Sequence, residues 1–181
     1  MNNTVVPEDP SSEEYKNVLA QLLERLNPYT PKGTKLCDAF MQNWTSVAFE
    51  GAAFSRTKDG VKVYLRKRAP DETAYPDQWH VPGKIYRVGE HDHHVANRLE
   101  EEFGTKIENF DFIGRKIISY ESRGTVHSMI FWVELAGEPR LDDHHGWFLI
   151  NDLPQVTVVH HKNVIIPAAY SAGMGRLKSR H

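Results

Sequence analysis

The sequence has little of what marks several large classes of protein. Its 181 residues include one cysteine, Cys37, so no disulfide can form within the chain. No apolar run approaches the ~20 residues of a membrane-spanning helix. Lys+Arg number 22 against 24 Asp+Glu, and this balance argues against binding to nucleic-acid polymers or to membrane surfaces. The first residues have neither the basic start nor the apolar segment of a signal peptide, so a cytoplasmic location is expected.

Histidine, in contrast, is abundant. Six of the ten histidines lie in the adjacent pairs His93-His94, His144-His145 and His160-His161. A zinc centre usually uses closely spaced Cys and His ligands, whereas Cys37 has no thiol neighbour. Neighbouring helical residues also point about 100° apart, so a pair rarely supplies two ligands to one ion. Exposed or titrating imidazoles are therefore the better interpretation than a structural zinc site.

The N-terminal part of the chain predicts a helical extension. Ser11-Ser12-Glu13-Glu14 is typical of a helix cap with an acidic first turn, and apolar residues follow at helical spacing up to Leu26. Asn27-Pro28 is expected to end this helix, and a second short helix is possible over residues 35–43. We therefore assign residues 1–43 to the extension and 44–181 to a single further domain.

The domain mixes strands and helices. Residues 47–56 and 61–67 predict a hairpin around Lys58-Asp59-Gly60. Asp92 is expected to cap a helix that Gly104 closes in the left-handed conformation. The remaining predicted elements are strands over 110–120, 125–134 and 146–150 and a final helix over 162–174, with Pro167 tolerable near its first turn or at a kink.

One stretch, from Trp79 to Thr105, carries chemistry. Pro82-Gly83 and Gly89-Glu90 precede the helix, and the helix ends in Glu100-Glu101-Glu102-Phe103-Gly104. At about 100° per residue, Glu101, Glu102, Arg98 and His94 share one edge of that helix. Glutamates grouped in this way can hold a divalent cation against a diphosphate, although three glutamates at a helix end are also common on a solvated surface.

Residues 44–175 resemble the Nudix family of hydrolases. The family's box runs from a glycine loop through a glutamate, then an arginine-glutamate pair, to two glutamates before a last glycine. In one register Glu90 and Arg98 match and the glutamate after the arginine is lost. In the other register Gly89, Asn97 and Arg98 stand where the family has glutamate, arginine and glutamate. Both registers keep Glu101 and Glu102, and Lys84 stands where a second glycine is usual.

The resemblance implies an α/β fold, a Nudix-like α/β/α sandwich with a mixed β-sheet. It implies a pyrophosphohydrolase that uses Mg²⁺ or Mn²⁺ to cleave the diphosphate of a nucleoside diphosphate derivative. Glu101 and Glu102 would ligate the metal, Arg98 would orient a glutamate through an ion pair, and Glu90 would be the candidate base. Glu121 is a further candidate base, but a solvated hairpin turn is the favoured role for that residue.

Substrate contacts are less sharply indicated. Arg66, Lys84 and His127 are the candidate substrate-binding residues, although a strand-end arginine and a strand histidine also occur for structural reasons. Trp79, Phe131, Trp132, Trp147 and Phe148 could stack on a base, but such aromatics are more often core.

Two alternatives to the hydrolase come from the same superfamily. The missing glutamate favours a catalytically impaired module that binds a nucleotide or a protein. A diphosphate isomerase is disfavoured because its catalytic cysteine would lie in the strand region before the box, and the one cysteine of this sequence is Cys37. A homodimer through the N-terminal helix and the first hairpin is a further expectation.

Overall fold

The computed structural model describes residues 7–26, 34–121 and 124–173. The chain divides into two compact units, Met1–Pro31 and Lys32–His181. The boundary expected after residue 43 stays a prediction. The predicted helix stop at Asn27-Pro28 and the end of the final helix at residue 174 lie outside the described residues. Over the described ranges, none of the helices has both the length and the apolar character of a membrane span.

The first unit contains one amphipathic helix, α1 (Glu13–Glu24). Ser12 is its N-cap, and the Ser12 hydroxyl accepts a hydrogen bond from the Tyr15 backbone N–H at 3.1 Å. Glu13 and Glu14 lie in the first turn, where carboxylates favourably oppose the positive end of the helix dipole. The predicted cap is therefore confirmed. No residue of α1 is buried, and Leu19 and Leu22 on its apolar side are exposed.

The second unit is built on a seven-stranded mixed sheet. The strands are β1 (Ser46–Thr57), β2 (Gly60–Lys67), β3 (Trp79–His80), β4 (Gly83–Ile85), β5 (Ile107–Glu121), β6 (Gly124–Leu135) and β7 (His145–Leu149). The helices are α2 (Thr34–Asn43), α3 (Asp92–Phe103), a π-helical turn (His161–Ile165) and α4 (Ile166–Gly173).

The long first strand, β1, organises this sheet. The strand order is β3-β2-β1-β6-β5, with β4 added on β1 and β7 on β2. The first part of β1 pairs in parallel with β6 and antiparallel with β4, while its end forms the hairpin with β2. Both predicted hairpins, β1–β2 and β5–β6, are confirmed. The short strands β3 and β4 were not predicted, because two or three residues are too few to show a period of two.

Helices cover both faces of the sheet, because successive strand residues point to opposite sides. On one face, Phe49 and Phe131 pack with Leu99 and Phe103 of α3. On the other, Ala52 and Ile130 pack with the π-helical turn and α4. The predicted α/β/α sandwich is therefore confirmed.

The start of α3 corrects one prediction. Its N-cap is His91, not Asp92, which is the first helical residue and accepts a hydrogen bond from the Tyr86 hydroxyl at 2.7 Å. The His94 Nδ1 atom accepts from the His91 backbone N–H at 3.0 Å, so the first turn is held without an Asp cap. Gly104 ends the helix with φ 69°, as predicted.

The close packing of α4 on the sheet gives a test of this fold. A methyl group at Gly173 would overlap the Trp132 ring, which itself stacks on Phe54 at 4.8 Å. We expect Gly173→Ala to lower the free energy of unfolding by about 1–3 kcal/mol through overpacking. Urea unfolding followed by tryptophan fluorescence measures this. Gly114→Ala is the control, because no heavy atom among the described residues lies within 4 Å of its added methyl, and equal stability of the two variants would contradict the packing.

Candidate functional site

The sheet opens between β3 and β4. Only Val81 and Pro82 separate these strands, yet β3 pairs with β2 whereas β4 pairs with β1. A cavity of about 130 Å³ lies where they diverge. Its polar lining consists of Glu50, Arg68, Tyr75, Lys84, Ser128 and three histidines, His80, His160 and His161. The opening therefore brings polar residues from six different segments to one space.

Glu50 is a charged group in the wall of this cavity. It lies in the middle of β1 and is only 6% exposed, and the Ser128 hydroxyl on β6 donates to its Oε1 atom at 3.4 Å. Gly83 lies opposite in β4, and a methyl group there would overlap Glu50 Oε2. Sequence reasoning missed Glu50. The available signal was a single glutamate in the otherwise small and apolar stretch of residues 47–54.

Two buried histidines form another wall. The rings of His80 and His161 are nearly perpendicular, with centroids 5.8 Å apart. Burial lowers the pKa of both well below the usual value, helped by Arg68 for His80 and by His160 for His161. Both imidazoles are therefore neutral near pH 7. The His161 Nδ1 atom accepts from the Val81 N–H at 3.2 Å, so its proton is on Nε2, while His80 Nε2 is buried without a partner among the described residues.

The carboxylate of Glu102 is held by two basic side chains. Lys84 Nζ and Arg66 Nη1 both contact its Oε1 atom, the latter at 3.1 Å. Glu102 is 6% exposed, and its Oε2 atom has no hydrogen-bond partner within the described part of the chain. This ion-pair cluster joins α3 to β2 and β4. Since Lys84 also lines the cavity, the cluster adjoins the cavity through this residue.

A second ion pair fixes the loop before α3. Arg98 Nη2 contacts Glu90 Oε2 at 2.7 Å and donates to the Ile85 carbonyl at 2.8 Å. The Arg87 backbone N–H also donates to Glu90 Oε2, at 2.7 Å. Burial raises the pKa of Glu90, but the hydrogen bonds from Arg87 and Arg98 outweigh it and leave that pKa below its usual value. Arg98 therefore orients Glu90 rather than a glutamate of its own helix.

Several solved structures share this architecture. The Nudix domain of Shewanella oneidensis NrtR, complexed with ADP ribose, has a TM-score of 0.58 and 14% identity, covering 84% of this chain and 97% of that one. Burkholderia pseudomallei MutT Nudix hydrolase has a TM-score of 0.51 and 24% identity, covering 70% of this chain and 96% of that one. The chain has the Nudix fold. No protein-family model matches the sequence, and a search of curated proteins finds no significant match.

The likeness is therefore one of fold. A longer structure of S. oneidensis NrtR has a TM-score of 0.57 and 14% identity over 69% of this chain. The alignment spans 61% of the length of that chain. The fold class expected from the box is confirmed, and the identities are too low to transfer an activity.

Within this Nudix fold, α3 is the helix of the box, and its two predicted metal ligands are in different environments. Glu101 is exposed, whereas Glu102 points inward to Lys84 and Arg66. The structure brings no three His, Cys, Asp or Glu side chains of the described ranges into a group that could hold a metal ion, and this includes the three histidine pairs. A hard divalent cation requires several oxygen ligands, so a cation held by residues in these ranges would have to complete its shell with water or phosphate oxygens.

The other predicted site residues divide into two groups. Arg66 and Lys84 lie at the Glu102 cluster. His127 lies between Val126 and Ser128 on β6, and because both neighbours line the cavity, strand alternation directs His127 to the other face. The side chain of Glu121 lies outside the described part. Core packing accounts for the aromatic candidates: Phe131 stacks on Phe49 at 3.8 Å, and Phe148 packs edge-on against Trp79 at 4.7 Å.

The lowered pKa of Glu90 predicts a pH-dependent contribution to stability. Its ionised form is favoured in the folded state, so the contribution is present above the unfolded value of about 4.3 and is lost as pH falls through the lower folded value. We expect Glu90→Gln to cost on the order of 1 kcal/mol at pH 7 and progressively less below about pH 4. Urea unfolding at both pH values measures this, with exposed Glu101→Gln as control. An equal loss of unfolding free energy in Glu90→Gln at both pH values would contradict a stabilising ion pair at Glu90.

The Glu102 cluster predicts strong coupling between two positions. Lys84→Met leaves a buried carboxylate with Arg66 alone, so we expect a loss of about 1–3 kcal/mol in unfolding free energy. Lys84→Met/Glu102→Gln should recover much of this loss, because no buried charge then lacks its partner. The control is Lys106→Met, because the Lys106 side chain is 79% exposed and its ion pair with Glu100 contributes at most about 1 kcal/mol. Additive losses at residues 84 and 102 would contradict the cluster.

Proposed function

We propose that the chain is a Nudix-fold module that binds a nucleoside diphosphate derivative at the opening between β3 and β4 without a divalent cation. The observation that carries this proposal is the pairing of Glu102 with Lys84 and Arg66. The basic side chains pair with Glu102, the most deeply buried glutamate of the box. In this proposal they take the place of a metal ion as the positive charge facing the diphosphate.

The two basic groups can serve Glu102 and a ligand together. An ammonium has three donors and a guanidinium has five, so contact with one carboxylate oxygen leaves donors for phosphate oxygens. Arg66 also lies 3.8 Å from Glu72, through its Nη2 atom. The ADP ribose complex of the NrtR Nudix domain supports the ligand class, since that domain has the same fold.

Magnesium-dependent hydrolysis is the second candidate. It is favoured by exposed Glu101 beside Glu102 at the end of α3 and by the likeness to MutT. For that activity Lys84 would have to break its ion pair with Glu102, and the Lys84 ammonium would then lack its present partner. The homodimer, the cytoplasmic location and the boundary after residue 43 remain predictions of the sequence.

Binding without metal is the result expected from the proposed module. We expect GDP, ADP or ADP ribose to bind in calorimetric titrations, with dissociation constants that agree within about twofold between EDTA and MgCl₂ buffers because no ligand bridges through an ion. Lys84→Met should weaken binding about tenfold or more through loss of a charge-assisted contact. Lys106→Met, which removes an exposed ammonium paired with the same helix, should bind as wild type.

The same ligands also test the hydrolase. Release of phosphate or nucleotide with Mg²⁺ or Mn²⁺, abolished in Glu101→Gln/Glu102→Gln, would overturn the metal-free module in favour of the enzyme. Binding that appears only with Mg²⁺ would also overturn it. Metal-independent binding with no product supports the module.

A further inference from the structure

The mixed lining of the cavity points to the part of the ligand that enters it. We propose that the cavity between β3 and β4 binds a guanine-type base, with the Glu50 carboxylate accepting from two adjacent N–H groups of that base. This inference rests on the proposed function, because it assigns the base of the nucleoside diphosphate derivative.

The size of the cavity limits what can enter. At about 130 Å³ it is well below the roughly 300–1,000 Å³ of pockets that enclose a drug-sized ligand. One group of a nucleotide enters, and the rest stays outside. Lys84 belongs both to the cavity wall and to the Glu102 cluster, so a base in the cavity leaves the diphosphate beside the basic side chains.

Glu50 selects the hydrogen-bonding edge. In this proposal Glu50 is ionised, so its carboxylate only accepts hydrogen bonds, and the sheet and Ser128 position it. Guanine presents its N1–H and its 2-amino group side by side. Adenine presents one amino group beside the N1 lone pair, which a carboxylate repels. A buried carboxylate therefore favours guanine over adenine.

The positive charges around the cavity disfavour a cationic ligand as the alternative. Arg68, Arg66 and Lys84 all lie close enough to disfavour a positive charge on His80, the buried histidine of the same wall. A cationic ligand in the cavity would meet the same repulsion. Guanine is neutral, and its O6 and N7 atoms are acceptors that suit neighbouring donors.

His80 supplies independent support for a ligand here. Its Nε2 atom is buried and has no hydrogen-bond partner among the described residues, although the residue lines the cavity. Buried polar atoms in native proteins nearly always have a partner, so an atom without one next to a cavity indicates that a partner enters from outside. A base with both donors and acceptors on its rim supplies one.

Three nucleotides that differ only in the base test the proposal on the wild-type chain. Calorimetric titrations in EDTA with GDP, IDP and ADP separate the contribution of the 2-amino group from that of the rest of the base. IDP lacks only the 2-amino group of GDP. We expect GDP to bind about tenfold or more tightly than ADP, with IDP between them, as loss of a hydrogen bond to a charged group predicts. This series does not depend on any variant folding.

Glu50→Gln then assigns the preference to the carboxylate. An amide offers a donor as well as an acceptor, so the GDP preference over ADP should fall to within about threefold. Glu134→Gln, a half-buried carboxylate elsewhere on β6, is the matched control and should keep the wild-type preference. Thermal melts establish that both variants are folded.

The outcomes separate this inference from the proposed function. Equal binding of GDP and ADP to the wild type overturns the guanine assignment and leaves the metal-free module standing. A preference that persists in folded Glu50→Gln overturns the role of Glu50. Failure of every nucleotide to bind overturns both proposals.

Discussion

A buried carboxylate must be neutralised, and in this chain that requirement falls on Glu102. Its partners, Lys84 and Arg66, come from different strands, so one ion-pair cluster fixes the end of α3 against β2 and β4. The chemistry of the box follows from this. A carboxylate that already balances two internal cations differs from one that awaits a metal ion, even when its place in the sequence is the same.

The opening in the sheet has a topological cause. Because β1 pairs with β4 along one part and with β2 along another, β3 and β4 must separate within two residues. Polar groups can then be deeply buried without being sealed inside the protein. Neutral histidines, a carboxylate and basic side chains coexist there, and a ligand bound as proposed would be selected by the pattern of its donors and acceptors rather than by its net charge.

The fold could be predicted from the sequence to a considerable extent, because its long elements carry periodic signals. The β1–β2 and β5–β6 hairpins, the Ser12 cap and the Gly104 helix end depend on local residues and turn chemistry. The site could not be predicted to the same extent. Glu50 comes together with His80 and His161 through pairing between distant segments, and the contact of Lys84 with Glu102 depends on how β4 lies against α3. The face on which His127 lies depends on a single residue of strand register, which the sequence does not determine.

The closeness of Gly83 to Glu50 has a consequence for how such a chain can vary over evolution. Any side chain at position 83 would meet the Glu50 carboxylate in its present place, so the carboxylate would have to move and we expect the two positions to be coupled. Among distant relatives, a residue larger than glycine at position 83 should accompany a residue smaller than glutamate at position 50. A coupled substitution at these two positions would then mark the lineages in which the ligand changed.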